Sequence, residues 1–174
     1  MNLAVFLASS EAMRTEWDSG GIILLKLAAV ALLVSMNGFF VAAEFAIVKV
    51  RSSQLEAAEA EGNKRASFAR HVTAHLDAYL SATQLGITLA SLGLGWIGEP
   101  FLAAMIQPLL LKLGISSPAV VHSIAFALGF SIISFLHIVL GELAPKSLAI
   151  RKSVGTALLV SRPLGFFYTL FKPA

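Results

Sequence analysis

The sequence predicts an all-α integral membrane protein with three spanning helices. Composition is the first reason. Of 174 residues, 57% are hydrophobic and 13% are charged, with a mean hydropathy of +0.81, whereas an average soluble domain is about 25% charged. Second, three runs approach the roughly 20 apolar residues that a hydrocarbon core requires. Third, the basic residues divide by side. Of 13 Lys and Arg, five follow the first run (Lys49, Arg51, Lys64, Arg65, Arg70) and five follow the third (Lys146, Arg151, Lys152, Arg162, Lys172). Arg14 and Lys112 lie on the opposite side, a strong positive-inside asymmetry. The N-terminus is therefore expected outside and the C-terminus in the cytoplasm of a multi-pass plasma (inner) membrane protein.

Composition also closes several routes. The chain has no Cys, which removes a disulfide scaffold, a thiolate metal site and a cysteine nucleophile. A net charge of +3 and a pI near 9.5 would fit a nucleic-acid binder only if the charge clustered on one soluble face. It is distributed between spans instead, so no nucleic-acid partner is expected.

Each element follows from local signals. Residues 1–20 form an extracellular N-terminal segment, and the apolar Leu3–Ala8 lacks the basic start of a signal peptide. Span one covers about 21–48, broken only by Lys26, placed to snorkel to the headgroups, and Glu44. Residues 51–77 read as a cytoplasmic helical hairpin with a break at Gly62-Asn63. Glu56, Glu59 and Glu61 precede that break, and a basic arm near anionic headgroups follows it. Span two covers about 78–97 and ends at an interfacial Trp96. Phe101–Leu111 is apolar but too short to cross, and Pro100 and Pro108 punctuate it, so it reads as a short re-entrant or interfacial segment. Span three covers about 119–140, with Pro118 as a helix-starting residue. Residues 21–152 thus make the transmembrane domain. Residues 153–174 are a juxtamembrane amphipathic belt interrupted by Pro163. The end on an aromatic run reads as a cut before a further domain.

Polar groups are costly inside a bilayer, so their placement is informative. Span one holds Ser35, Asn37 and Glu44, and Asn37 and Glu44 share a face at an offset of seven. Span two holds Ser81, Gln84, Thr88 and Ser91 on one stripe, with Gly86, Ala90 and Gly93 on a smooth face suited to helix packing. Span three places Ser131, Ser134 and Glu142 on a stripe at α-helical spacing, while His122 and His137 fall off it and read as structural histidines. Gly141-Glu142, followed by Pro145, loosens the helix and can free backbone carbonyls as ligands. Any single Ser or Thr has an ordinary reading as a bond to its own i−4 carbonyl, and Glu44 can snorkel or pair at the interface. Taken together, three stripes of oxygens without thiolates suit a hard cation. Zinc-protease spacing is absent, and Ser131 and His137 are poorly spaced for a serine nucleophile and base, so no enzyme is expected.

Three stretches resemble the transmembrane domain of the CorC/cyclin M (CNNM) magnesium transporter family. They are Asn37-Gly-Phe-Phe-Val-Ala-Ala-Glu-Phe-Ala-Ile-Val-Lys-Val-Arg51, Ser81-Ala-Thr-Gln-Leu-Gly-Ile-Thr-Leu-Ala-Ser91 and Gly141-Glu-Leu-Ala-Pro-Lys-Ser147. The resemblance implies a homodimer of three-span subunits, a CBS-domain pair following in the full-length chain, and magnesium export coupled to sodium entry. It also implies a metal site at Asn37, Ser91, Gly141 and Glu142. Ser91 stands where the family often has Asn, and Asn37 where it often has Ser, so the two residue types are exchanged between helices. Ser35, Glu44, Ser81, Thr88 and Ser131 are second-tier metal or pathway candidates. The transported ion would be Mg2+, with Na+ as the coupling ion. The competing reading is a magnesium-sensing membrane anchor that regulates cytoplasmic domains without transporting.

Overall fold

A computed structural model describes residues 16–172. The extracellular segment expected over 1–20 lies outside the described residues up to position 15, as do the last two residues of the chain. Among the described residues all regular structure is helical. Seven α-helices and one π-helical turn follow in order: α1 (Gly20–Lys49), α2 (Ser52–Ala60), α3 (Lys64–Ala74), α4 (Leu76–Lys112), α5 (Pro118–Leu136), the π turn His137–Leu143, α6 (Ala144–Arg151) and α7 (Ser153–Phe171). By length and composition four stretches could cross a membrane: α1, α4, the continuous run Pro118–Arg151, and α7. Their apolar side chains are largely turned outward, including Leu24, Leu25, Leu32, Leu92, Phe135 and Leu159. Outward apolar surface on this scale needs a nonaqueous neighbour, so the chain is a multi-pass membrane protein.

Two elements differ from the sequence reading. Phe101–Leu111 is not a separate piece, because α4 runs unbroken through Pro100 and Pro108. Each proline removes one N–H. Abandoning the helix would strand many more peptide groups where water cannot reach them. Second, the helix that contains the third apolar run does not stop at 140. It continues to Arg151 by way of the π turn, with Pro145 accepted in the first turn of α6.

The described residues form two compact units. One contains residues 16–30 and 94–135. Here α5 lies close on α4, since a Cβ at Gly129 would sit 2.9 Å from the Ala103 backbone nitrogen. Val121, Ala125, Ala103 and Leu110 make its core. Lys26 pairs with Asp18 at 2.6 Å, and Lys112 sits over the Trp17 ring. Trp17 Nε1 donates to the Met105 carbonyl.

The other unit contains residues 31–93 and 136–172. Helix α2 ends at Gly62, whose φ of +86° suits glycine. The Asn63 and Gly62 N–H groups bond back to the Ala58 and Glu59 carbonyls, a glycine-terminated helix end. Asn63 then caps α3 by accepting from the Arg65 N–H. Arg70 ties α3 to α2 through Glu59 at 2.6 Å and Glu56 at 3.5 Å. The hydrogen bond to Glu59 holds its guanidinium above its ordinary pKa, though exposure to solvent leaves the pair little weight in stability. Helix α7 packs on α3, and Val160 and Leu164 join Phe40, Ile47, Val72 and Tyr79 in one core.

In this same unit the smooth face of α4 meets α1. Ala90 is buried, Gly93 faces Leu33, and the Phe40 ring lies on Gly86. A Cβ at Gly86 would stand 2.5 Å from a Phe40 ring carbon. Phe40 is itself packed against Phe39 and Phe167, so it has little room to retreat. Gly86→Ala is therefore expected to destabilise the protein by about 1–3 kcal/mol. The check is a lowered Tm of the purified protein in detergent, and an unchanged Tm would contradict this packing.

Candidate cation site

The site is built where α1, α4 and the π turn supply polar atoms. Its foundation is the backbone around Pro145. With no N–H, Pro145 cannot donate to the Leu140 or Gly141 carbonyl, the acceptors at i−5 and i−4. The next donor upstream, the Ala144 N–H, goes to Val139 in π fashion. Both carbonyls thereby lose the donor that residue 145 would otherwise supply. Helix α1 approaches them at Gly38, where a Cβ would meet Pro145 at 3.0 Å and the Leu140 carbonyl oxygen at 3.4 Å. Glycine at position 38 is what permits that approach.

One residue earlier, fully buried Asn37 uses the access. Its Nδ2 donates to the Gly141 carbonyl at 3.1 Å. Its Oδ1 is 3.3 Å from Ser91 Oγ, delivered by α4. Ser91 Oγ is in turn 3.1 Å from His137 Nε2. His137 Nε2 stands 3.8 Å from Glu142 Oε1. Glu142 is the one carboxylate of this group and is half-exposed, with 47% of its side chain accessible. Buried side-chain polar atoms without a partner are absent among the described residues.

Asn37, Ser91 and the Gly141 carbonyl of the expected metal set thus stand in one hydrogen-bonded group, and Glu142 is linked to it through the 3.8 Å contact with His137. The second-tier candidates do not join it. Ser35, Ser81, Thr88 and Ser131 are exposed, and each donates to the carbonyl four residues back in its own helix, at 2.7–3.0 Å. Glu44 is half-buried on α1, seven residues and about 10 Å of helix beyond Asn37. His137, read from the sequence as a structural histidine off the stripe, also joins the group. At α-helical spacing, residues five apart are about 0.4 turn out of phase, which separates His137 from Glu142. The i→i+5 bonding of the π turn widens the helix by a residue and brings both to one side. Only the Gly-Glu-x-x-Pro pattern hinted at it.

Chemically, the group offers one carboxylate, an amide oxygen, a hydroxyl and backbone carbonyls. Among the described residues no three His, Asp or Glu side chains converge to hold a metal. The donor set is therefore that of a weakly charged, oxygen-rich site.

A chain whose helices bury so little apolar surface, and whose polar atoms gather at a π turn, is a polytopic membrane domain with an internal polar site. Comparison with known proteins gives the class. Residues 27–174 match the family model described as the cyclin M transmembrane N-terminal domain, and the chain belongs to that family. Among its relatives, UPF0053 protein YhdT of Bacillus subtilis is 49% identical over 144 residues, 83% of this chain and 31% of the relative. UPF0053 protein YhdP of the same organism is 45% identical over 150 residues, 86% of this chain and 34% of the relative. UPF0053 protein MT1890 of Mycobacterium tuberculosis is 34% identical over 146 residues, covering 84% of this chain and 32% of the relative. The chain spans about a third of the length of these curated relatives.

Proposed function

We propose that this domain exports Mg2+ across the plasma membrane, driven by sodium entry, through one oxygen-ligand site in each subunit of a homodimer. The observation that carries the reading is the Asn37 side chain set against the Gly141 carbonyl beside Ser91 and Glu142. Magnesium takes six oxygens at about 2.0–2.1 Å, so adjacent ligands lie about 3 Å apart. The 3.3 Å from Asn37 Oδ1 to Ser91 Oγ is a spacing of that size, and the amide nitrogen of the same side chain holds the Gly141 carbonyl 3.1 Å away. Glu142 supplies the charge. A single carboxylate leaves a divalent ion incompletely neutralised, so binding is modest and reversible, as turnover requires. The remaining ligand positions are filled by water, which magnesium gives up reluctantly. Sodium is a hard cation that can use overlapping oxygens.

The orientation that goes with this reading puts the hairpin and α7 in the cytoplasm. The packing of α7 on α3, a helix carrying Lys64, Arg65 and Arg70, supports a belt along the membrane surface in preference to a fourth crossing. The lipid bilayer and a second copy would cover the outward apolar faces, and CBS domains in the full-length chain would regulate the cycle.

The test is flux. Liposomes containing only this chain, loaded with Mg2+ and a magnesium-sensitive dye, are expected to release the ion when an opposing sodium gradient is imposed, and Glu142→Ala liposomes are not. Magnesium binding without any flux would overturn export and favour a magnesium-sensing anchor.

A further inference from the structure

His137 has no part in the ligand set just proposed, yet it is built into the group. Its ring lies against the bare backbone of Gly141, where a Cβ would meet His137 Cδ2 at 3.1 Å. Its Nε2 reaches both Ser91 Oγ at 3.1 Å and Glu142 Oε1 at 3.8 Å. We propose that His137 is a positioning residue: its imidazole, swung round by the π turn, fixes Ser91 Oγ as a ligand without touching the ion. This rests on the magnesium-site reading.

Hydrogen-bond accounting gives the direction of the chain. With Nδ2 donating to Gly141, Asn37 Oδ1 faces Ser91 and can only accept. Ser91 has one O–H and spends it there. The contact between Ser91 and His137 is then complete only if Nε2–H donates to Ser91 Oγ. A lone pair on that hydroxyl oxygen is held by His137, and its remaining lone pair is directed by the same constraint. Glu142 Oε1, 3.8 Å from the same nitrogen, lies beyond hydrogen-bond reach. Imidazole nitrogen is a poor partner for Mg2+, which prefers oxygen, so an orienting role fits the chemistry better than ligation. Partners that orient ligands in this way typically account for about 10–100-fold in metal affinity.

The experiment titrates Mg2+ into the purified 174-residue chain in detergent, by calorimetry, with Tm recorded for every variant. His137→Leu is expected to weaken binding by about 10–100-fold. His137→Gln places an amide N–H where Nε2–H stood and is expected to bind close to wild type. With Mn2+ as a spin probe, electron spin-echo spectra of the wild type are expected to show no directly bound nitrogen. Wild-type affinity in His137→Leu, failure of Gln to rescue, or a directly bound nitrogen would each overturn the positioning role. Glu142→Ala separates the two levels. If it binds Mg2+ like wild type, the site reading itself fails; if it loses binding while His137→Leu does not, only the role of His137 fails.

Discussion

Glu142→Ala is expected to weaken Mg2+ binding by more than about 100-fold, exceeding the usual cost of losing an outer partner, with little effect on folding. Glu142 is the only carboxylate in the group around Asn37, Ser91 and Gly141. Neutral oxygens alone compete poorly with water for a doubly charged ion that holds its hydration shell tightly. Its side chain is half-exposed, and substitutions at such positions usually change stability by about 0.5 kcal/mol or less. The companion variant Glu44→Ala should leave affinity close to wild type, since Glu44 lies two turns along α1 from Asn37. Calorimetric titration of both variants checks the pair. Loss of binding in Glu44→Ala with retention in Glu142→Ala would move the site along α1.

Gly141→Ala is expected to lower both stability and affinity, for one steric reason. The added Cβ would stand 2.9 Å from Asn37 Nδ2 and 3.1 Å from His137 Cδ2. Neither neighbour can yield without consequence. Asn37 is fully buried and bonded to the very carbonyl of residue 141, while His137 is held against Ser91. Displacing Asn37 leaves the Gly141 oxygen and Ser91 hydroxyl without their partner, a cost of about 1–3 kcal/mol. The same displacement separates the amide from the carbonyl with which it would share an ion, and an affinity loss of about 10–100-fold is expected. Tm and Mg2+ titration on the same preparation measure the two effects. A variant with wild-type values in both would show that the close approach at Gly141 is not required.

The long apolar helices were readable because they depend on simple sums. A bilayer demands long charge-poor runs, and α1, the first half of α4 and α5 lie where those runs stand. The small-residue face of α4 was equally plain, since Gly86 and Gly93 have no other evident use in a helix. What could not be read depended on helical register and context. Fixed α-helical spacing linked Ser131 and Ser134 to Glu142 and set His137 aside. Ser131 bonds Ala127 within its own helix, and the π turn brings His137 to 3.8 Å from Glu142. Pro100 and Pro108 signal a break in water, but α4 carries both, because unpaired peptide groups cost more than a missing bond. The hydroxyls at Ser35, Ser81 and Thr88 satisfy their own helices. Stripe membership alone does not distinguish them from Ser91, whose partner lies on another helix.

The most direct measurement of the central claim is anomalous scattering from crystals of this chain grown with Mn2+ as a magnesium surrogate. A peak is expected within coordination distance of the Glu142 carboxylate and the Gly141 carbonyl, fading as Mg2+ is added and missing in crystals grown with sodium alone. No peak there, or a peak only at the surface pocket lined by Glu56, Glu59 and His71, would contradict it.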